Sequence, residues 1–587
     1  MNRSLFSSLW AVVLMAGGCL LPACEGLNLQ SDGSITMQEV FNDRNRTRGY
    51  LNACYDNLPG TLFQAGSYTD DAEDSEDATS GSVFDFWYKG GVNASNFANY
   101  APGGAPWNGF YQGIRRCNVF LANIDAATAY ATDEEKTAWK AQAKVLRAFY
   151  YLELFKRYGK VPLLLAEHPK DYDYSQDRKA SVGEVVTQIL KDCDEALAVP
   201  ESDDFPWGVK NNQWGMMTRA VAHAIRSQAV TFAVSPLFDD GTFSMQQAAE
   251  VTGSALGACL SHDYSLFSES DGYHNAYGSY FLYGPDDLRA RDKETIFRGD
   301  RVAAWQNAGL PTTEGMTKAG PCPTQDLVDA YEMADGTAPI LGYEDADHLK
   351  PIVNPASTYD EQNPYERRDP RFYATVYYNG ARHMLDGSDE SRIETFVGGR
   401  QGISEKSRQN THTGYYLHKY AHFLSNKNSN SDGYVRLFRL PELLFNFAEA
   451  ASQAYGPDKK MELGGGVSLS ARDAVNIVRK RAGMPDFPEG MSQEEFQKKY
   501  RNERRIEYAM EQLRYFDVRR WKILAQTEKF VTGMRITRNS DGTFSYTRFR
   551  FEDRATNADK YLLFPIDVTE VSKMMKLTGD NWQNAGW

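Results

Sequence analysis

Three glutamates near the C-terminal end of the chain, Glu503, Glu507 and Glu511, stand four residues apart in RNERRIEYAMEQLRYFDVRRWKIL. On a helix they would share one face, where a carboxylate array could hold a hard cation or do acid–base work. The same stretch carries Arg504, Arg505, Arg514, Arg519 and Arg520. Guanidinium groups at that density neutralise carboxylates through charge-assisted bonds, so the pattern reads as a structural arginine–glutamate lattice. At about 100° per residue, Arg514 projects to nearly the same side as Glu507. Ile506, Ala509, Met510, Leu513 and Leu524 line another face. Without proline or glycine in the run, the expectation is one helix of roughly six turns over 501–524.

Other residues could bind metal. SYTDDAEDSED, residues 67–77, has six acids and no base. It lacks the spacing and central glycine of an EF-hand loop, so it reads as a solvated acidic loop or one paired with distant basic residues. Calcium is the ion it would take, and Asp286-Asp287 is a weaker second candidate. In THTGYYLHKYAH, His418 and His422 have a metal-ligand spacing if helical, with His412 nearby. Threonine and tyrosine make that segment a strand instead, so no metal role is assigned. Past Cys24, the five cysteines are scattered and form no CxxC, which excludes a structural zinc knot. Serine-hydrolase, zinc-protease, phosphate-loop and dinucleotide motifs are all missing from the sequence.

Aromatic residues carry the strongest functional signal: 34 Tyr, 31 Phe and 10 Trp make 13% of the chain, more than a core needs. Two stretches place them in loops with amides. In FDFWYKGGVNASNFANYAPGGAPW, Phe86 and Trp87 precede Asn93; later, Tyr273, Tyr277 and Tyr280 precede Trp305. Flat sugar faces stack on such rings while amides bond the hydroxyls, so these seven residues are the candidate ligand contacts. A net charge of −14 argues against a nucleic-acid partner.

Loops of this kind need a rigid support, and the helical period supplies one. Residues 37–58, 107–127, 133–158, 181–199, 217–234 and 244–260 read as helices. Ser181 and Glu184 form a capping box, and Gly159 stops the helix before it. The period disappears over 263–435, a loop-rich insertion with short β-rich runs such as TIFRG and ATVYYNG. Helix returns at 436–455 and 470–483. The expected fold is mainly α: a tetratricopeptide-like superhelix over about 37–262 and 436–526, carrying a large loop-rich insertion with short β-strands. Residues 24–587 read as a single domain after a signal peptide at 1–23. Arg3 and the apolar run 5–15 precede Leu21-Pro22-Ala23-Cys24, which resembles a bacterial lipobox with Cys24 as the lipidated residue.

ERRIEYAMEQLRYFDVRRW resembles the signature helix of the SusD/RagB family of Bacteroidetes surface lipoproteins. PTQDLVDAYEMADG, YERRDPRFYATVYYNG and the closing YLLFPIDVTEV…NWQNAGW are similar to that family in the same order. The resemblance implies a non-catalytic lipoprotein of the outer membrane, held by its lipid anchor and facing the cell exterior. It also implies oligosaccharide capture beside a SusC-like TonB-dependent transporter, with no cofactor. The alternatives are a RagB-like peptide binder and an exported glycan hydrolase.

Overall fold

The computed structural model describes residues 35–59, 63–126, 131–169, 171–208, 215–270, 274–282, 291–301, 317–383, 391–420 and 434–587. Local sequence sets most helices. Helices α1 (Met37–Phe41) and α2 (Arg44–Ala53) replace the single helix expected over 37–58, because Asp43 caps α2 and ends the first run. Short α3 (Val83–Tyr88) and α4 (Phe97–Tyr100) follow. Then come the long scaffold helices α5 (Trp107–Asn123), α6 (Asp133–Tyr158), α7 (Val182–Leu197), α8 (Arg219–Ala233) and α9 (Met245–Leu260). Capping boxes at Thr132–Glu135, Ser181–Glu184 and Ser244–Gln247 start three of them, each satisfying two otherwise orphaned backbone donors. Gly159, at φ 70°, ends α6 as expected.

These helices stack in chain order, each on the next, from α5 through α9. The series then jumps the insertion. Helix α9 packs on a helix from the far side of it, and that helix packs on its own successor. Close approach needs small residues. At Gly113 a Cβ would sit 2.4 Å from the Tyr150 ring, so only glycine lets α5 lie against α6 at this distance. This is the helical superhelix with a loop-rich insert read from the sequence.

Within the insertion lie α10 (Ala276–Leu282), α11 (Gln325–Ala330) and α12 (Pro370–Thr375). The strands of the chain form six two-stranded antiparallel sheets among the described residues. β1 (Ala72–Asp74) pairs with β3 (Pro321–Pro323), and β2 (Thr295–Arg301) with β8 (Tyr434–Arg439). β4 (Ile340–Tyr343) joins β5 (Pro351–Val353), and β6 (Val376–Tyr377) joins β7 (Tyr416–Leu417). β9 (Met461–Gly464) and β10 (Val467–Leu469) make a hairpin, as do β11 (Phe530–Arg538) and β12 (Phe544–Asp553). The β8 assignment corrects the helix expected from 436. The alternating YVRLFR pairs as a strand, and Pro441 at the first turn delays the start of α13 (Leu440–Tyr455). Helix α14 (Ala471–Ala482) follows.

The expected six-turn helix over 501–524 is two helices, α15 (Gln493–Glu507) and α16 (Leu513–Arg520), before short α17 (Leu524–Thr527) and the late α18 (Val568–Thr578). Met510 between α15 and α16 has φ 64°. The break has a physical cause in the backbone carbonyls. The Glu507 carbonyl accepts from Arg439 Nη2 at 2.9 Å and Tyr277 Oη at 3.1 Å, and the Ala509 carbonyl accepts from Lys419 Nζ at 2.9 Å. Buried side chains thus take carbonyls that a continuous helix would use for its own ladder.

The lattice itself is present, with different partners from those nearest in sequence. Glu507 accepts from Arg439 Nη1 at 2.6 Å and Arg371 Nη1 at 3.2 Å, and also binds Arg481. Glu503 accepts from Arg371 at 2.6 Å. Glu511 accepts from Lys419 and Arg439, each at 2.8 Å. Arg514, freed by the break, turns away from Glu507 to a two-bond pair with Asp70 at 2.9 and 2.7 Å. Arg505 holds Asp71 at 2.7 Å. Arg504 and Arg520 share Asp517, at 2.7 and 2.8 Å.

Candidate functional site

The acidic run is not a solvated loop. Asp70, Asp71, Glu73 and Asp74 are buried, and the first two anchor α15 and α16 to the N-terminal part of the chain. Burial pushes the Asp70 carboxyl up, but Arg505 and Arg514 outweigh it and hold it below the usual carboxylate range. Pairing with distant basic residues was the second sequence expectation, and for Asp70 and Asp71 it holds. Asp286-Asp287 lies outside the described residues.

Burial also corrects part of the aromatic platform. Trp87 has no exposed surface: its ring meets Tyr68, Phe97 and Tyr561 at 5.0, 6.0 and 5.7 Å. Helix α3 aims it inward while its neighbour Phe86 points out, as two successive helical residues must diverge by about 100°. Tyr277 and Tyr280 are likewise in the core on α10. Tyr277 receives Lys419 Nζ at 2.8 Å, and Tyr280 bonds Thr295 Oγ1 at 2.6 Å under the Arg436 guanidinium. These three rings support the lattice and the core and offer a ligand no face. Tyr273, Trp305 and Cys24 lie outside the described residues.

Phe86 and Asn93 remain at the surface together. Phe86 stacks on Tyr100 with ring centres 4.2 Å apart and planes 21° from parallel, both rings partly exposed. The Phe86 ring lies over Gly91, where an added Cβ would come within 2.8 Å of it. Glycine is therefore required for the ring to settle there. Exposed Asn93 closes the same turn: its N–H donates to Asn96 Oδ1 at 2.8 Å, and its Oδ1 accepts from the Ser95 N–H at 2.9 Å. The turn presents Asn93 and Asn99 to solvent beside the ring pair. Beneath it, Tyr88 fixes α3 by donating to the Ser67 carbonyl at 2.7 Å and accepting from the Asp74 N–H at 3.0 Å. The arrangement is an apolar ledge with amides on a fixed base, able to stack and hydrogen-bond a flat polyhydroxyl molecule. Tyr100 was overlooked in the sequence, although NFANYAP lies in the stretch singled out.

A second concavity, of about 300 Å³, is lined by Tyr111, Arg115, Asn118, His168 and Tyr174 among others. Its residues come from one face of α5 and from the segment that follows α6. Much of its polar wall is already engaged. Tyr111 Oη donates to the Pro162 carbonyl at 2.8 Å, Asn118 Nδ2 to Leu164 at 2.8 Å and Arg115 to His168 at 3.0 Å. The ledge is therefore the better candidate.

His418 follows β7, stacks on Tyr377 at 4.0 Å and bonds the Tyr373 carbonyl at 2.7 Å. Burial and the neighbouring His274 and His383 push its pKa well below the ordinary value. His412 faces Glu73, and His422 lies outside the described residues.

Comparison with known proteins agrees with this architecture. Among solved structures, a SusD-like protein from Bacteroides fragilis NCTC 9343 superposes with a TM-score of 0.73 at 24% identity, over 93% of this chain and 98% of that one. A SusD-like carbohydrate binding protein from the same organism gives 0.67 at 20% identity, over 92% and 99%. Surface glycan-binding protein A from Bacteroides thetaiotaomicron gives 0.54 at 18% identity, over 93% and 100%. No curated protein matches the chain in sequence. A family model described as starch-binding associating with outer membrane matches residues 27–206. The model of the SusD family matches residues 264–587, more than half of the sequence, and the chain belongs to that family.

Proposed function

We propose that this protein is a non-catalytic, lipid-anchored glycan-binding protein of the outer membrane that passes oligosaccharide to a TonB-dependent transporter. The observation that carries the binding reading is the Phe86–Tyr100 ledge with Asn93 and Asn99 around it. Two similar structures are described as carbohydrate- and glycan-binding, which supports sugar over peptide as the ligand. Tyr273 and Trp305 extend the proposed contacts; Trp87, Tyr277 and Tyr280 do not. Missing hydrolase and nucleophile motifs support binding without turnover.

Calorimetry of the purified chain against a panel of plant and host glycans, with peptides as controls, tests this. Each stacked ring contributes on the order of 1 kcal/mol beyond area burial. Phe86→Ala with Tyr100→Ala is then expected to weaken binding roughly tenfold to a hundredfold, with the fold intact. A glycan that binds both forms equally misplaces the ledge. Cleavage of the glycan during titration refutes the non-catalytic reading, and binding confined to peptides refutes the sugar reading.

The transporter is tested separately. Mild detergent extraction from the native host, followed by affinity purification, is expected to recover a TonB-dependent barrel in near-equal amount. A lid covering such a barrel should bury well above the roughly 1,600 Å² of a standard complex. Recovery of this protein alone, with ligand present, counts against the partnership.

A further inference from the structure

Four side chains from three segments of the chain converge on one point. Glu73 belongs to β1, Asp77 to the turn after it, His412 to the loop before β7, and Glu552 to β12. His412 has 0% side-chain exposure, as does Glu73, and Asp77 has 7%. The imidazole orientation is set from behind. His412 Nε2 stands 3.2 Å from the Ser407 carbonyl, and a carbonyl only accepts, so Nε2 carries the proton. Nδ1 then points at two carboxylates at once: Glu73 Oε1 at 2.9 Å and Asp77 Oδ1 at 3.1 Å.

A single ring nitrogen cannot satisfy both oxygens with one proton, whereas a cation shared by the three atoms would. Asp77 Oδ1, Glu73 Oε2 and Glu552 Oε1 are left without a hydrogen-bond partner among the described residues. Asp77 is within hydrogen-bonding reach of both Glu73 and Glu552, so the three carboxyl groups crowd one another. The cations alongside are peripheral. Arg554 Nε is 3.5 Å from Glu552, and Lys318 is turned to Glu76 at 2.8 Å. Unpaired buried carboxylate oxygens around a correctly oriented imidazole nitrogen are the makings of a cation site.

We propose that Glu73, Asp77 and His412, with Glu552 beside them, bind a divalent transition metal of the zinc–manganese class. Calcium is disfavoured because an imidazole nitrogen is a poor substitute for an oxygen ligand. The ligand atoms would be His412 Nδ1 and one oxygen from each acid, with the Ser407 carbonyl holding the ring from behind. The described ligand atoms of Glu73, Asp77 and His412 all lie within 4.8 Å of one another, close enough to share one ion. The ion would tie β1, the insertion and the β11–β12 hairpin together, and it is independent of which ligand the ledge takes.

The test uses the full chain, stripped with chelator and titrated with Zn²⁺, Mn²⁺ and Ca²⁺ in separate calorimetry runs. Zn²⁺ or Mn²⁺ is expected to bind one per chain and to raise the melting temperature. Co²⁺ should give a visible absorption band. His412→Ala and Glu73→Gln are each expected to lower affinity at least tenfold, and loss of the Co²⁺ band reports the site even in a less stable variant. If neither Zn²⁺ nor Mn²⁺ binds stoichiometrically, the proposal fails. It fails equally if both folded variants bind as the parent does, or if Ca²⁺ binds in preference.

Discussion

Glu507→Ala is expected to destabilise the protein by about 3–5 kcal/mol while leaving glycan affinity of the folded fraction unchanged. Glu507 has no exposed side chain and serves Arg371, Arg439 and Arg481 at once. Removing it leaves three buried guanidinium groups short of a counter-charge, and water cannot replace it there. Burial alone would push its carboxyl up, but Arg481, Arg439 and Arg371 outweigh that and hold the pKa at about 2. A depressed acid contributes fully above its unfolded value of 4.5 and loses that contribution as pH falls towards about 2. Glu449, held at about 2 by Arg520, loses its share in the same window. Urea unfolding at pH 7 and at pH 3 checks both points: the midpoint should drop for the variant at pH 7, and the gap should narrow at pH 3. An unchanged midpoint at pH 7 would remove Glu507 from the structural role.

The other large effect is expected at the membrane, where Cys24→Ala should abolish attachment outright. The apolar run 5–15 is too short to remain as a spanning anchor, and among the described residues no helix is long and apolar enough to cross a bilayer. On the proposed lipid anchor, attachment rests on acyl chains, and a single chain gives only marginal, reversible binding. Cells fed a fatty-acid probe are expected to label the parent protein and not the variant, and the variant should move from the membrane pellet to the soluble fraction. Equal labelling of both ends the lipoprotein proposal.

The sequence by itself determined the scaffold helices, because their signals act over three or four residues. Ser181 with Glu184, Thr132 with Glu135 and Gly159 specify ends that tertiary packing has no reason to move. It also determined that the carboxylates of 503–511 would be neutralised, since so many arginines accompany them. Their actual partners at 371, 419, 439 and 481 were not legible, because those contacts join residues far apart in the chain. The break at Met510 was hidden for the same reason: distant Lys419, Arg439 and Tyr277 claim the carbonyls, and nothing in the local sequence records that.

Of the candidate contacts, only the tertiary structure could separate Phe86 from Trp87. Both are large rings in an amide-rich stretch, and composition assigns them the same role. Packing of Tyr68, Phe97 and Tyr561 around one face of α3 buries Trp87 and leaves Phe86 to stack on Tyr100 at the surface. Exposure of a ring depends on which chain segments cover it, and those segments lie up to the far end of the sequence.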